Sequence, residues 1–108
     1  MRTVLTLSLL LIISLPAGTA LAQVDAKTQR AWKAKCSACH GEDGKGQTDA
    51  GKKLGVTDMT IAAWQKNVTD AQIKESMEKG VKDKMPAITD LQPGQADALV
   101  KFVRGLAK

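Results

Sequence analysis

Apolar residues recur at helical spacing along most of the chain, and no segment alternates apolar and polar positions as a half-buried strand does. The spacing predicts a first helix over about 25–35 and a short helix over 60–67. A third helix follows in "TDAQIKESMEKG", where Thr69 and Gln72 form a capping box at the start and Gly80 supplies the stop. These segments are typical of a small helical domain.

The remaining sequence contains one long irregular segment and one terminal helix. "GEDGKGQTDAGKKLG", residues 41–55, holds five glycines and is expected to be a loop that approaches another part of the molecule closely. The terminal helix is predicted over 93–108, with Pro93 in its first turn and an apolar stripe of Leu99, Phe102, Val103 and Leu106. The fold class is therefore all-α, with three to five helices in one domain.

The first 22 residues differ in kind from the rest. Arg2 precedes an apolar run over 4–15, Pro16 follows that run, and small residues stand at Ala20 and Ala22. This pattern predicts a secretory signal peptide over 1–22 that is cleaved after Ala22. The apolar run is about a dozen residues, whereas a membrane span needs about 20, so no stable membrane insertion is expected. The mature protein would comprise residues 23–108 and lie in the periplasm.

The predicted mature chain has 86 residues and a formal charge of +4, one less than the whole chain because Arg2 is removed. Its large aromatic residues are Trp32, Trp64 and Phe102, and it has no tyrosine. A domain of this size buries only about 60 to 65% of its unfolded surface and is marginally stable without further support. We therefore expect something other than side chains to complete the core.

Both cysteines and the only histidine lie within five residues, in "KAKCSACHGEDGKG". At spacing i and i+3, Cys36 and Cys39 project from one side of a helical turn, and His40 follows directly. This Cys-x-x-Cys-His order is the attachment signature of c-type haem, in which two thioethers hold the porphyrin and the imidazole binds iron. The segment thus predicts one covalently attached haem c.

Three other kinds of site could use the same residues. A thioredoxin-like dithiol would need a βαβ setting, which the helical pattern does not offer. A zinc site would use Cys36, Cys39 and His40, but consecutive ligands are poorly placed for one tetrahedron and no second cysteine pair exists. A plain disulfide is usual for two cysteines in an exported protein, although so short a loop adds little stability.

The second axial position of the iron needs a different residue, because the chain has no second histidine. Methionine, lysine, the terminal amine or an open site remain. Met77 pairs with Ile73 on one face of a predicted helix, and Met59 lies directly before the short helix predicted over 60–67. Both methionines are therefore expected to pack in the core. Met85 precedes Pro86, which disfavours helix and places the methionine in an extended connector. Met85 is therefore the predicted axial ligand.

Over nearly all its mature length the chain resembles a class I monohaem c-type cytochrome of the small bacterial periplasmic type. The matching elements, in order, are "AWKAKCSACHG", "EDGKGQTDAGKKLGVTDMT", "KMPAI" and "ADALVKFVRGL". The resemblance implies helices wrapped around one covalent haem, attachment through Cys36 and Cys39, and axial ligation by His40 and Met85. It also implies that Trp32 packs on a residue of the last helix, Phe102.

Two further positions depend on this resemblance. Many relatives have a proline about a dozen residues after the histidine, and its carbonyl accepts the imidazole N–H. Lys52 stands there in this sequence, which leaves another backbone carbonyl of that loop as the candidate acceptor. The indole of Trp64 has two interpretations, a hydrogen bond to a haem propionate or simple core packing.

A six-coordinate iron has no free position for substrate, so the resemblance implies an electron carrier rather than an enzyme. The alternatives are an open-site haem protein, such as a small-ligand sensor or a peroxidase-like enzyme, and a haem subunit of a larger oxidoreductase. The expected partners are redox proteins with acidic surfaces, and the protein is expected to be a monomer that binds no nucleic acid. The lysines that would attract such partners are Lys33, Lys35, Lys45, Lys52, Lys53, Lys82 and Lys84. The alternative is that these lysines form an ordinary solvated surface with no role in docking.

Overall fold

The structure is a computed structural model that describes residues 11–14 and 25–108. The predicted signal peptide lies outside the described residues except for 11–14, which are exposed and form neither helix nor strand. None of the helices in the described part of the chain combines the length and the apolar character needed to cross a bilayer.

Residues 25–108 form six helical segments, and within the described ranges the β-structure is one isolated bridge between Val81 and Met85. The all-α prediction is confirmed, but the number of helices exceeds the expected three to five because two short segments were not predicted. The helices are α1 (Ala26–Lys35), α2 (Ser37–His40), α3 (Asp49–Leu54), α4 (Ala62–Asn67), α5 (Asp70–Lys79) and α6 (Gln95–Gly105).

Side-chain caps determine where the two ten-residue helices begin. The carboxylate of Asp25 accepts a hydrogen bond from the Thr28 N–H at 2.8 Å and so starts α1. At α5 the predicted capping box is present, because the Thr69 hydroxyl accepts from the Gln72 N–H at 3.1 Å and the Gln72 side chain accepts from the Thr69 N–H at 2.9 Å. Gly80 ends α5 as predicted.

The helix α3 contradicts the prediction that all of 41–55 is irregular. The hydroxyl of Thr48 accepts a hydrogen bond from the Gly51 N–H at 2.9 Å and caps the helix. Gly51 occupies the helix interior because a Cβ there would lie 2.3 Å from the carbonyl oxygen of Cys39. Close packing against the cysteine segment therefore explains a glycine that, in the sequence alone, argues against helix.

The terminal helix begins later than predicted. Gly94 adopts a left-handed conformation with φ 75° and forms the N-cap, so Pro93 lies before α6 rather than in its first turn. The predicted stripe is otherwise confirmed: Leu99 and Val103 are almost fully buried, and Phe102 is partly buried against the same core.

The helix α6 packs against both α1 and α5. At the crossing with α1 the rings of Trp32 and Phe102 lie 4.7 Å apart between centroids, tilted by 31°, which confirms the predicted aromatic contact. On α5, Ile73 and Met77 are buried as predicted. Thus α6 supports the two helices that precede the cysteine segment and the Met85 connector.

Candidate functional site

The first helix leads directly into the cysteine turn, residues 36–40. The Cys36 N–H donates to the Trp32 carbonyl at 2.9 Å, and the Cys36 carbonyl accepts from the His40 N–H at 2.9 Å. Cys36 is buried, whereas Cys39 and His40 are half-buried. One helical turn thus carries all three residues, as their spacing predicted.

Hydrogen bonds from residues outside the cysteine turn fix the end of the turn by its backbone carbonyl groups. The carbonyl groups of residues 39–41 accept, in chain order, from the Thr48 hydroxyl at 2.8 Å, the Gly46 N–H at 2.8 Å and the Trp32 indole N–H at 3.0 Å. The last of these bonds is buried. Because three consecutive carbonyls are fixed from different elements, the direction of the cysteine and histidine side chains is set by the fold.

A cavity of about 510 Å³ lies beside the cysteine turn, within the range of about 300 to 1,000 Å³ that is usual for ligand sites. Cys36, Cys39, His40 and Met85 all line it. The structure therefore brings the four predicted site residues together. Most of the remaining lining is apolar and includes Leu54, Val56, Trp64, Val68, Ile73, Val81, Ile88 and Val103.

Met85 reaches the cavity from a segment that we call the methionine loop, residues 81–88. The Val81 N–H donates to the Met85 carbonyl at 2.7 Å, and the Met85 N–H donates back to the Val81 carbonyl at 2.9 Å. Farther along, the Ile88 N–H donates to the Met77 carbonyl at 2.8 Å, at the end of α5. Backbone hydrogen bonds therefore fix the loop on both sides of Met85.

Two other methionines, Met59 and Met77, also line the cavity, which the sequence did not indicate. Both are buried, at 6% and 4% exposure, in agreement with the prediction that they pack in the core. Met77 is carried by α5, and the Met59 N–H donates to the Gly44 carbonyl at 3.0 Å. The choice of Met85 as iron ligand over these two stays a prediction.

Burial keeps the thiol and the imidazole of the cysteine turn uncharged near neutral pH. It raises the pKa of the Cys36 thiol to about 11, against a smaller opposing effect of the Lys35 charge. It also lowers the pKa of His40. A redox dithiol works through a thiolate, so this environment argues against the thioredoxin-like interpretation. A neutral imidazole, by contrast, has a lone pair available for a metal.

The other two alternatives receive no support from the geometry. Both cysteines are free thiols in the structure. Nowhere in the described ranges, the cysteine turn included, do three His, Cys, Asp or Glu side chains converge as ligands for a metal ion.

The imidazole of His40 has a buried nitrogen, Nδ1, for which residues 25–108 provide no hydrogen-bond partner. The expectation that a backbone carbonyl near Lys52 accepts this N–H is therefore wrong for the described structure. The reason is that Lys52 lies in α3, where its carbonyl accepts the Gly55 N–H at the end of the helix. Buried polar atoms without a partner are rare, so this nitrogen is an exception among the described residues.

Two of the seven predicted docking lysines, Lys35 and Lys84, line the cavity. Lys35 forms an ion pair with Asp90 at 2.7 Å, whereas Lys84 is exposed. Trp64 also lines the cavity and is half-buried, a position compatible with both interpretations of its indole.

Comparisons with known proteins agree with this geometry. Residues 23–103 match the family model described as cytochrome C oxidase, cbb3-type, subunit III. Among solved structures, the KustC0563 c-type cytochrome is 34% identical, with a TM-score of 0.71 over 75% of this chain and 98% of its own. A Tyr-to-Phe mutant of Kustc0563 is also 34% identical, with a TM-score of 0.68 over 73% and 96%. No curated protein shows significant sequence similarity.

Proposed function

The chain belongs to the c-type cytochrome family and carries covalently bound haem c, and on this basis we propose that it transfers single electrons between redox proteins. In this proposal Cys36 and Cys39 form the thioethers, and His40 and Met85 bind the iron. The observation that carries it is the cavity that all four residues line.

The residues present fit the cofactor. The cysteine turn presents two sulfurs and an imidazole from one helical turn, and the adjacent cavity is large and mainly apolar. His40 lines the cavity, and burial lowers the pKa of its imidazole, so a neutral ring nitrogen is available to bind iron. Cys36 is neutral and buried beside the cavity, where a thioether would be shielded from water.

Bound haem c supplies a one-electron couple between ferrous and ferric iron. Met85 would contribute a soft thioether, which would favour the ferrous state and raise the reduction potential relative to a second nitrogen ligand. The apolar lining limits access of water, which acts in the same direction. The hydrogen bonds that fix the cysteine turn and the methionine loop keep both ligands in place, so little rearrangement accompanies a change of charge.

The holoprotein is expected to behave as a closed carrier. Its ferric form should show a far-red band from the thioether–iron bond, and it should cycle reversibly by one electron. It should neither bind carbon monoxide readily when reduced nor turn over peroxide, because His40 and Met85 together would leave no open position on the iron. Absorption spectra and a redox titration test this. A high-spin ferric spectrum with rapid peroxide turnover would instead support the open-site alternative.

A haem subunit of a larger oxidoreductase is the second candidate, and it is favoured by a specific observation. The family model that matches residues 23–103 is described as an oxidase subunit. Purification from native membranes under mild detergent distinguishes the two candidates. Recovery with a membrane oxidoreductase in fixed ratio supports a subunit, whereas recovery as a free protein in the periplasmic fraction supports a shuttle.

We also propose export to the periplasm with cleavage after Ala22, leaving residues 23–108 as the cytochrome domain. The apolar run and small residues of 1–22 support this, and the family match begins at residue 23. The mass of the mature holoprotein tests the proposal, because cleavage at another bond changes the polypeptide mass by at least one residue.

Docking to acidic partners is proposed through the lysines near the cavity. Lys84 is exposed at the lining of the cavity, and Lys82 is exposed two residues earlier in the methionine loop. The full chain carries a formal charge of +5, which remains +4 without Arg2. Such a surface accelerates encounters with an acidic partner in a salt-dependent way.

Reduction by an anionic donor should therefore slow as ionic strength rises, because the field of the lysines is screened within about 10 Å at 0.1 M salt. Stopped-flow reduction by hexacyanoferrate(II) and by the native partner measures this. Reduction by cationic hexaammineruthenium(II) is the control and should become faster as ionic strength rises. Lys84→Gln should slow the anionic reaction more than Lys101→Gln, which removes the same charge from an exposed position on α6. Equal effects of both variants would assign the salt dependence to net charge alone.

A further inference from the structure

Gly80 lies where α5 ends and the methionine loop begins, and we propose that it is the positioning residue that seats Met85 in the cavity. This inference rests on the proposal that Met85 binds the haem iron, and it explains how the backbone brings Met85 to the cavity. The sequence indicated Gly80 only as the end of a helix.

The backbone of Gly80 has a conformation that other residues avoid. Its φ is 74° and its ψ is −179°, a region that is essentially restricted to glycine. Gly80 also differs from a simple helix stop in what surrounds it. A Cβ at Gly80 would lie 2.6 Å from the Met85 carbonyl oxygen and 2.7 Å from the Ala87 nitrogen.

Both of those contacts are with backbone atoms, so they cannot be relieved by turning a side chain. The Gly80 N–H donates to the Ser76 carbonyl at 3.0 Å, which ties this residue to the last turn of α5. A side chain at position 80 must therefore move the methionine loop rather than the helix. Because the same loop presents Met85, the displacement reaches the proposed ligand directly.

The hydrogen bonds around Gly80 depend on the same close approach. The reciprocal bonds between Val81 and Met85 begin one residue after Gly80, and the bond from Ile88 to Met77 closes the other side of the loop. A loop pushed away from the end of α5 cannot keep both sets at their present lengths of 2.7 to 2.9 Å. Gly80 thus permits the attachment that these bonds then maintain.

The ion pair between Lys35 and Asp90 is a second connection between the cysteine turn and the segment after Met85. It is short, at 2.7 Å, but the Asp90 side chain is 72% exposed. Exposed ion pairs contribute little because water and salt compete for both charges. We therefore assign the placement of Met85 to the backbone contact at Gly80 rather than to this pair.

The test compares holoprotein variants by the affinity of the ferric form for added imidazole, which competes with the methionine for iron. Gly80→Ala should raise that affinity at least about tenfold, weaken the far-red band and lower the midpoint potential. Gly94→Ala is the matched control, because Gly94 also has a positive φ of 75° but a Cβ there meets nothing within 4 Å. Lys35→Gln should change the affinity less than about twofold.

The inference is overturned if folded Gly80→Ala binds imidazole like the wild type, or if Gly94→Ala shows the same increase. Met85→Ala, measured in parallel, separates this from the ligand assignment: if that variant keeps the far-red band, the proposed ligation itself fails. Should Gly80→Ala not fold, amide exchange of the wild-type holoprotein decides. Protection of the Val81, Met85 and Ile88 amides supports the attachment, and exchange at the rate of an unstructured chain contradicts it.

Discussion

Replacing Cys36 and Cys39 together by alanine should leave the mature chain largely unfolded, as should synthesis in a cytoplasm that does not attach haem. The cavity beside these residues has a volume of about 510 Å³, in a domain that would have 86 residues after the proposed cleavage. Without haem the apolar lining of this cavity, which is partly open to solvent, faces water, and the lost burial is a large fraction of the stability of a small domain. Collapse of the cavity would recover some burial but disrupt the packing around α5 and α6.

Far-UV circular dichroism and thermal melting of the mature protein measure the effect. Ser37→Ala is the matched control, because it lies between the cysteines and loses only an exposed hydrogen bond from its hydroxyl to the Lys33 carbonyl. That variant should keep its haem, its helical spectrum and a cooperative melt. A haem-free chain with full helical content and a cooperative transition would contradict the prediction and show that the polypeptide core suffices.

Local patterns predicted the parts of the fold that depend on local interactions. The capping box of Thr69 and Gln72, the end of α5 at Gly80 and the apolar stripe of α6 are all set by residues within one or two turns of one another. The pairing of Trp32 with Phe102 is a long-range contact, and it was predicted through resemblance to a family rather than from periodicity. Sequence spacing alone could not have paired those two helices.

The errors occur where distant segments determine the local structure. α3 contains Gly51 because the Cys39 backbone lies against it, and no nearby residue encodes that approach. Likewise, a helical pattern identifies Met77 as buried but does not say that its burial is against a cavity. The sequence predicted that Met85 lies in a connector and that Met59 and Met77 are buried, but it could not show that all three line the same cavity.

Met85→Ala should change the haem iron more than any other single substitution outside the cysteine turn. Alanine cannot coordinate, and His40 is the only histidine in the chain. The variant should keep its covalent haem, lose the far-red band, and become high-spin or take up water or a lysine. Its reduction potential should fall because a soft thioether ligand is lost. Carbon monoxide binding to the reduced form and reaction with peroxide should both appear.

Met59→Ala and Met77→Ala are stringent controls, because both side chains line the same cavity as Met85. Each should preserve the far-red band and cost about 2 to 5 kcal/mol in unfolding free energy, since each removes a buried side chain. The two kinds of loss are separable, because spectra report the iron ligand and denaturant unfolding reports packing. If Met59→Ala or Met77→Ala abolishes the band while Met85→Ala preserves it, the iron is bound by a core methionine. Met85 and the rest of the methionine loop would then line the cavity without binding the iron.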